Sequence, residues 1–126
     1  MPDHAGKILV VDDDPDIVAN LSDILCDLGY HPSSAHNGTT ALGLVEQQKF
    51  DVAIVDYKMP GMDGSTLLSK IRQRQPETTA IMVTGFAEDQ RINSAVADGD
   101  LQVFRKPVDI KALLKLIESS IESKNN

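Results

Sequence analysis

Aspartate residues stand directly after two short apolar runs of the sequence. Asp12, Asp13 and Asp14 follow the run at residues 8–11, and Asp56 follows another. Carboxylates that are crowded together repel each other and raise each other's pKa, so such a group persists only where something compensates the charge. Carboxylate and carbonyl oxygens with retained water suit a hard divalent cation. The pattern therefore predicts a site for Mg²⁺ or Mn²⁺.

Asp14 has an alternative explanation, because Pro15 follows it. An aspartate before a proline at the first helical position is typical of a helix N-cap. We therefore assign Asp14 to a helix cap, and Asp12, Asp13 and Asp56 to the predicted cation site.

Two further polar residues stand at the ends of similar runs. Thr84 follows the run at residues 80–83 and precedes Gly85, and Lys106 follows the weaker run at residues 103–104. Each is ordinary by itself, because threonine favours strands and a lysine at a strand end is usually solvated. Together with the carboxylates they supply a cation, an ammonium group and a hydroxyl around one carboxylate. That combination predicts a site for a phosphoryl group held on the carboxylate.

The apolar runs themselves predict a parallel sheet. They are short, rich in branched residues and mostly without alternation, which is typical of strands buried on both faces; they lie at residues 8–11, 52–55, 80–83 and 103–104. Segments with apolar residues at helical spacing separate them, including a fourth helix around Ile92. The first helix is predicted to bury a stripe formed by Ile17, Leu21, Ile24 and Leu28.

Residues 30–36 must form the second strand, although they contain Pro32. Proline cannot donate to a strand ladder, so this strand is predicted at an edge of the sheet. The prediction is an α/β fold: a single (βα)₅ flavodoxin-like domain with strand order 2-1-3-4-5 and helices on both faces. In that order strands 1 and 3 are neighbours, and Asp12, Asp13 and Asp56 should meet at the carboxyl ends of the strands.

Length and composition agree with one domain. The chain has 126 residues, of which 41% are hydrophobic and 25% charged. We expect the core over about residues 6–122, with tails at residues 1–5 and 123–126. Cys26 is the one cysteine and is predicted to fill a small space in the core. A cytoplasmic protein is the simplest interpretation, because no run approaches the roughly 20 apolar residues of a membrane span. The net charge of −7 disfavours direct binding to nucleic acid, whose phosphates require a basic surface.

Four segments in order resemble the receiver domains of two-component response regulators. They are Ile-Leu-Val-Val-Asp-Asp-Asp (8–14), Asp-Val-Ala-Ile-Val-Asp-Tyr-Lys-Met-Pro-Gly-Met-Asp-Gly (51–64), Val-Thr-Gly (83–85) and Lys-Pro (106–107). The match covers about residues 6–122, and the stretch 56–64 is its most specific part. The resemblance implies a phosphoprotein of phosphorelay signalling. Such a domain takes a phosphoryl group from a sensor histidine kinase or a histidine phosphotransfer protein and signals through a conformational change.

The resemblance also implies roles for single residues. Asp56 would be the phosphoacceptor. Asp13 and Asp56 would bind Mg²⁺ together with the backbone carbonyl of Lys58, and Asp12 would assist mainly through water. Thr84 and Lys106 would contact the phosphoryl oxygens. Such a domain catalyses its own phosphorylation and dephosphorylation and is not a conventional turnover enzyme.

The sequence departs from the family pattern at the residue that usually reports the signal. The family places an aromatic residue three positions before the strand-5 lysine, where this chain has Val103. Phe104 is not an obvious substitute, because neighbouring strand residues point to opposite faces. Thr84 would then be the remaining switch residue. Lys58 and Phe86 stand where the family's residues flank the entry path of water, and they predict slow loss of the phosphoryl group.

The resemblance further implies an output surface formed by the fourth predicted helix, the fifth strand and the last helix. This surface would contact an output domain or a target protein, or form a homodimer linked to phosphorylation. The sequence names no kinase and no stimulus. It also leaves open whether the domain stands alone or belongs to a larger chain.

Two other functions fit parts of the pattern. A haloacid-dehalogenase-like phosphatase would use Asp12 as the nucleophile of an Asp-x-Asp-x-Thr motif, but the fifth position here is Asp16. An FMN-binding module would need a hydroxyl-rich phosphate loop where this chain has aspartates, and the chain has no tryptophan and two tyrosines to stack on a flavin.

Overall fold

The computed structural model describes residues 6–59, 61–85, 101–106 and 108–125. The elements within these ranges are β1 (Lys7–Val11), α1 (Pro15–Asp27), β2 (His31–Ala35), α2 (Gly38–Gln47), β3 (Val52–Asp56), α3 (Gly64–Arg74), β4 (Thr79–Thr84), β5 (Leu101–Arg105) and α4 (Ile110–Asn125). The helix predicted around Ile92 lies outside the described residues, so the label α4 belongs here to the last helix.

The five strands form one parallel sheet in the order β2-β1-β3-β4-β5. This confirms the predicted fold and strand order. The register pairs Val11 with Val55 and Asp56 with Val83. β2 is an edge strand, as its proline predicted, and Pro32 pairs with Ile8 of β1.

Alternate strand residues separate the core into two layers. Leu9 and Val11 of β1 pack in the layer that also contains the buried residues of α2 and α3. Ile8 and Val10 pack in the opposite layer, with the buried residues of α1 and α4. β3 lies at the centre of the sheet, and all five of its residues are buried.

The buried face of α1 differs from the predicted stripe. The residues that it buries are Val18, Leu21 and Leu25, whereas Ile17 is 38% exposed and Leu28 47% exposed. The helix carries two overlapping apolar stripes that share Leu21 and lie about 60° apart, since each residue turns the helix by about 100°. The sheet covers one stripe, and the other stays partly exposed beside α4.

Cys26 is exposed, so its prediction as a core residue is wrong. The neighbouring Leu25 is fully buried and occupies the core position. The turn of about 100° between consecutive helical residues carries Cys26 away from the sheet.

The last helix runs to Asn125 and therefore continues past residue 122, where a tail was predicted to begin. Residues 123–125 are serine, lysine and asparagine, and a helix that is already formed gains one backbone hydrogen bond with each residue added. Among the described helices, none combines the length and the apolar character needed to cross a membrane.

Candidate functional site

Four predicted site residues lie at the carboxyl ends of four parallel strands. Asp12 follows β1 directly, Asp56 ends β3, Thr84 ends β4, and Lys106 follows β5. Carboxylate oxygens of Asp12, Asp13 and Asp56 all lie within 4.8 Å of one another. The structure therefore brings together the three aspartates that the sequence placed after two separate strands.

The two strand-end carboxylates are buried. Asp12 is 4% exposed and Asp56 is 6% exposed, while Asp13 is exposed. Burial raises the pKa of Asp12, and the negative charge of Asp56 raises it further, against the hydrogen bond from the Asp14 backbone. Burial also raises the pKa of Asp56, and Lys106 offsets part of this effect.

Lys106 reaches from the end of β5 across β4 to both carboxylates. Its Nζ lies 3.1 Å from Asp56 Oδ1 and 3.6 Å from Asp12 Oδ2. Burial by itself would lower the pKa of Lys106, but the hydrogen bond to Asp56 and the two negative charges raise it overall. The ammonium group therefore stays charged at neutral pH.

The backbone around β1 fixes the position of Asp12. Its N–H donates to the carbonyl oxygen of Ala35 (3.2 Å), and its Oδ1 accepts from the N–H of Asp14 (2.9 Å). His36 Nδ1 lies 3.3 Å from the Asp12 carbonyl oxygen. The Asp14 side chain accepts from the N–H of Asp16 (3.0 Å), which confirms Asp14 as the cap of α1.

The loop after β3 holds Asp56 from the other side. The N–H of Tyr57 donates to the Val83 carbonyl oxygen (2.9 Å), and the N–H of Gly64 donates to the Tyr57 carbonyl oxygen (2.7 Å). The backbone N–H of Lys58 donates to the Asp56 carboxylate and lowers its pKa. The loop therefore folds back on the strand end, with the Lys58 side chain exposed.

Thr84 is buried at the end of β4, one residue beyond the residue that pairs with Asp56. Its carbonyl oxygen accepts from the N–H of Lys106 (2.9 Å), which ties the ends of β4 and β5 together. Val103 packs on the layer of α2 and α3, and Phe104 on the opposite layer, as their alternation predicted. Phe86 lies outside the described residues, so its role stays a prediction.

Sequence reasoning missed the close approach of Gly64 to the acceptor strand. A β-carbon on Gly64 would lie 2.5 Å from the Asp56 carbonyl oxygen and 2.8 Å from the Tyr57 α-carbon. Asp63 caps α3 by accepting from the N–H of Thr66 (2.8 Å), and this places Gly64 at the first helical position. The sequence offered one signal of this close approach: a glycine at the first position of a helix, where most other residue types would also be tolerated.

The donor chemistry of the site fits a divalent cation. Three carboxylates and one ammonium group leave two negative charges uncompensated. Carboxylate oxygens at this spacing, with one aspartate open to water, match the ligands that Mg²⁺ prefers. The arrangement can hold such a cation beside Asp56, with an ammonium group on the other side of the same carboxylate.

Comparison with known families and proteins supports this interpretation. Residues 8–118 match the response regulator receiver domain. Sporulation initiation phosphotransferase F of Bacillus subtilis (strain 168) is 32% identical over 95% of the chain and 97% of its own length. A response regulator receiver protein of Anaeromyxobacter sp. (strain Fw109-5) is 36% identical over 87% of the chain, which spans 46% of that relative. The chain spans 25% of the DNA-binding transcriptional regulator NtrC of Salmonella typhimurium, at 34% identity over 92% of the chain.

Solved structures agree with the fold. A signal receiver domain of an HD domain-containing protein from Pseudomonas fluorescens Pf-5 superposes with a TM-score of 0.88, at 32% identity, over 99% of this chain and 93% of that one. A CheY-like response regulator receiver domain protein from Methanospirillum hungatei JF-1 superposes with a TM-score of 0.86, at 33% identity, over 96% and 97% of the two chains.

Proposed function

Because this chain belongs to the response regulator receiver family, we propose that Asp56 is its phosphoacceptor and that the donor is a phosphohistidine. The observation that carries this assignment is the 3.1 Å contact between Lys106 Nζ and Asp56 Oδ1, at a carboxylate that also meets Asp12 and Asp13. The donor would be a sensor histidine kinase or a histidine phosphotransfer protein.

The surroundings of the three aspartates favour Asp56 over the other two. Asp12 Oδ1 already accepts from the Asp14 backbone and supports the start of α1. Asp13 is exposed to solvent, whereas Asp56 is buried at the end of β3. Asp56 ends β3, between β1 and β4, and makes the shorter of the two Lys106 contacts, 3.1 Å against 3.6 Å for Asp12.

For the metal site we propose Asp13, Asp56 and the backbone carbonyl of Lys58 as ligands of Mg²⁺, with Asp12 assisting mainly through water. Receiver domains bind Mg²⁺ through acidic residues, and the three-aspartate cluster fits that role. Mn²⁺ suits the same oxygen ligands. A bound divalent cation would neutralise negative charge on the phosphoryl oxygens.

The proposed transfer forms a bond from an Asp56 carboxylate oxygen to phosphorus. It breaks the bond between phosphorus and the histidine nitrogen, which keeps the electron pair. The transition state of phosphoryl transfer is loose, so positioning and charge compensation dominate. Lys106 would compensate charge on a phosphoryl oxygen, and the Thr84 hydroxyl would donate to another. Water would later hydrolyse the acyl phosphate, so the domain promotes only its own phosphorylation and dephosphorylation.

We also propose that the whole chain from residue 1 to 126 acts as one receiver domain in the cytoplasm. Its signal would leave through the surface that includes β5 and the last helix, towards an output domain, a target protein or a second phosphorylated copy. Val103 on β5 lacks the aromatic ring of the family, so Thr84 would carry the switch. Lys58 and Phe86 would modulate the lifetime of the phosphoryl group.

The test uses acetyl phosphate as a small donor and intact-mass measurement as the readout. Wild type should gain one phosphoryl group with Mg²⁺ and none with EDTA. Asp56→Asn should gain none, whereas Asp51→Asn, at the opposite end of the β3 segment, should behave as wild type. A gain that persists in Asp56→Asn but disappears in Asp12→Asn would make Asp12 the acceptor and overturn the proposal.

A further inference from the structure

A cavity of about 550 Å³ lies between α1 and α4 and opens into the site. Its floor is formed by buried residues of three strands, Val10, Ile54 and Val83, and Ile24 and Val108 stand on opposite sides of it. Volumes of this order are typical of pockets for small organic ligands, which are mostly apolar with a few convergent polar groups.

The polar groups of the cavity are concentrated where it meets the site. Asp12, Asp56 and Lys106 all line it, and Lys106 Nζ lies 3.6 Å from Asp12 Oδ2 and 3.1 Å from Asp56 Oδ1. With Asp13 beside them, negative charge exceeds positive charge at this end. The cavity is therefore apolar along its length and anionic at one end.

We propose that this cavity binds small primary amines that carry an apolar body the size of a phenylbutyl group. The ammonium group lies at Asp12 and Asp56, and the apolar body lies between α1 and α4 on the strand floor. Hydrogen bonds between charged groups are stronger than those between neutral ones, so the amine is favoured over an alcohol of the same shape. A carboxylate of the same shape is repelled.

The ligand also affects the chemistry of the site. The ammonium group occupies carboxylate oxygens that a divalent cation needs, so amine and Mg²⁺ compete. An amine that fills the cavity therefore slows phosphorylation of Asp56. This consequence rests on the proposed function, whereas binding of the amine does not.

The experiment titrates ¹⁵N-labelled protein with 4-phenylbutylamine, 4-phenylbutan-1-ol and 4-phenylbutanoate, and follows backbone amide shifts. The amine should give saturable shifts at Val10, Ile24 and Ile54, with a dissociation constant about tenfold below that of the alcohol, as one charge-assisted hydrogen bond implies. Added Mg²⁺ should weaken amine binding. Equal binding of amine and alcohol, binding of the carboxylate alone, or no saturation with any compound would overturn the proposal.

Cavity-filling variants locate the site. Ile24→Trp and Val108→Trp fill the cavity from opposite sides and should each abolish the amine shifts. Leu28→Trp is the control. Leu28 is exposed, follows the end of α1 and does not line the cavity, so this variant should keep the amine-induced shifts. Amide dispersion shows whether each variant is folded, and amine binding that survives in both folded cavity variants contradicts the proposal.

A parallel assay with acetyl phosphate separates the two proposals. Failure of phosphorylation without any amine counts against Asp56 as acceptor and leaves amine binding to be judged by the shifts. Normal phosphorylation that saturating amine does not slow contradicts the competition at the carboxylates.

Discussion

Gly64, the first residue of α3, lies directly against the backbone of Asp56, the last residue of β3. A β-carbon on Gly64 would meet the Asp56 carbonyl oxygen at 2.5 Å. The position of the acceptor therefore depends on a residue with no side chain, eight positions later in the chain.

Gly64→Ala should lower both stability and the rate of phosphorylation. The added methyl group meets backbone rather than a flexible side chain, and such overpacking costs about 1–3 kcal/mol. The shift of the strand end also moves the Asp56 carboxylate away from Lys106 Nζ, which lowers the rate of phosphorylation. Gly43→Ala is the matched control, because a β-carbon at residue 43 would meet nothing within 4 Å and alanine in a helix gains up to about 1 kcal/mol. Urea unfolding and acetyl phosphate kinetics check both variants, and an unchanged Gly64→Ala would contradict the steric argument.

Asp56→Asn should raise the free energy of unfolding of the metal-free protein near neutral pH. Burial raises the pKa of Asp56 and Asp12 in the folded protein, so the folded chain holds more protons than the unfolded chain above the ordinary value of 3.8. At neutral pH the two buried, charged carboxylates lower the free energy of unfolding. This penalty disappears as pH falls through the raised pKa values, because the carboxylates then become neutral. The advantage of the variant should therefore shrink on acidification.

Urea unfolding in EDTA at about pH 7 and about pH 5 measures this difference. Mg²⁺ should stabilise wild type more than Asp56→Asn, since the variant lacks one carboxylate ligand. An advantage that grows at the lower pH would mean that Lys106 outweighs burial at this carboxylate.

Val103→Tyr should strengthen the link between phosphorylation and β5. Val103 is partly buried against the layer of α2 and α3, and a branched valine cannot swing between two poses as a ring can. Amide shifts at residues 101–105 on adding beryllofluoride should be larger in Val103→Tyr than in wild type, consistent with a coupling of about one or two kcal/mol. Phe104→Tyr is the control, because Phe104 packs on the other layer. If wild type already shows large shifts at residues 101–105 and the tyrosine adds nothing, β5 responds fully without an aromatic ring and the prediction is wrong.

Gln75→Ala should destabilise the protein by about 2–3 kcal/mol, because several backbone groups lose their partner together. The Gln75 Oε1 accepts from the N–H of Phe50 (2.9 Å), and its Nε2 donates to the carbonyl oxygens of Val45 and Gln48 (both 2.8 Å). Gln73→Ala, at an exposed position of α3 two residues earlier, should change stability little. Thermal unfolding of the two variants provides the comparison, and equal midpoints would mean that water replaces the side chain.

The strands and their order could be predicted because a parallel sheet buries both faces and leaves continuous apolar runs. The convergence of Asp12, Asp13 and Asp56 then followed from the strand order. The face of α1 could not be predicted, since the stripe through Ile17 and the stripe through Leu25 have the same spacing. The side-chain bonds of Gln75 join residues 25 to 30 positions apart, and no local pattern indicates partners at that distance.

The start of β1 lies against the end of the last helix. A β-carbon on Gly6 would collide with Ile121 and would approach the Tyr30 ring to 3.0 Å. Gly6 and Ile121 therefore lie together at the amino ends of the strands, on the side of the sheet opposite to Asp56. The same proximity makes the fold a candidate for circular permutation, with a short linker that joins the last helix to β1 and new ends opened in a surface turn. Such a permuted chain would keep every strand neighbour on which the three-aspartate cluster depends.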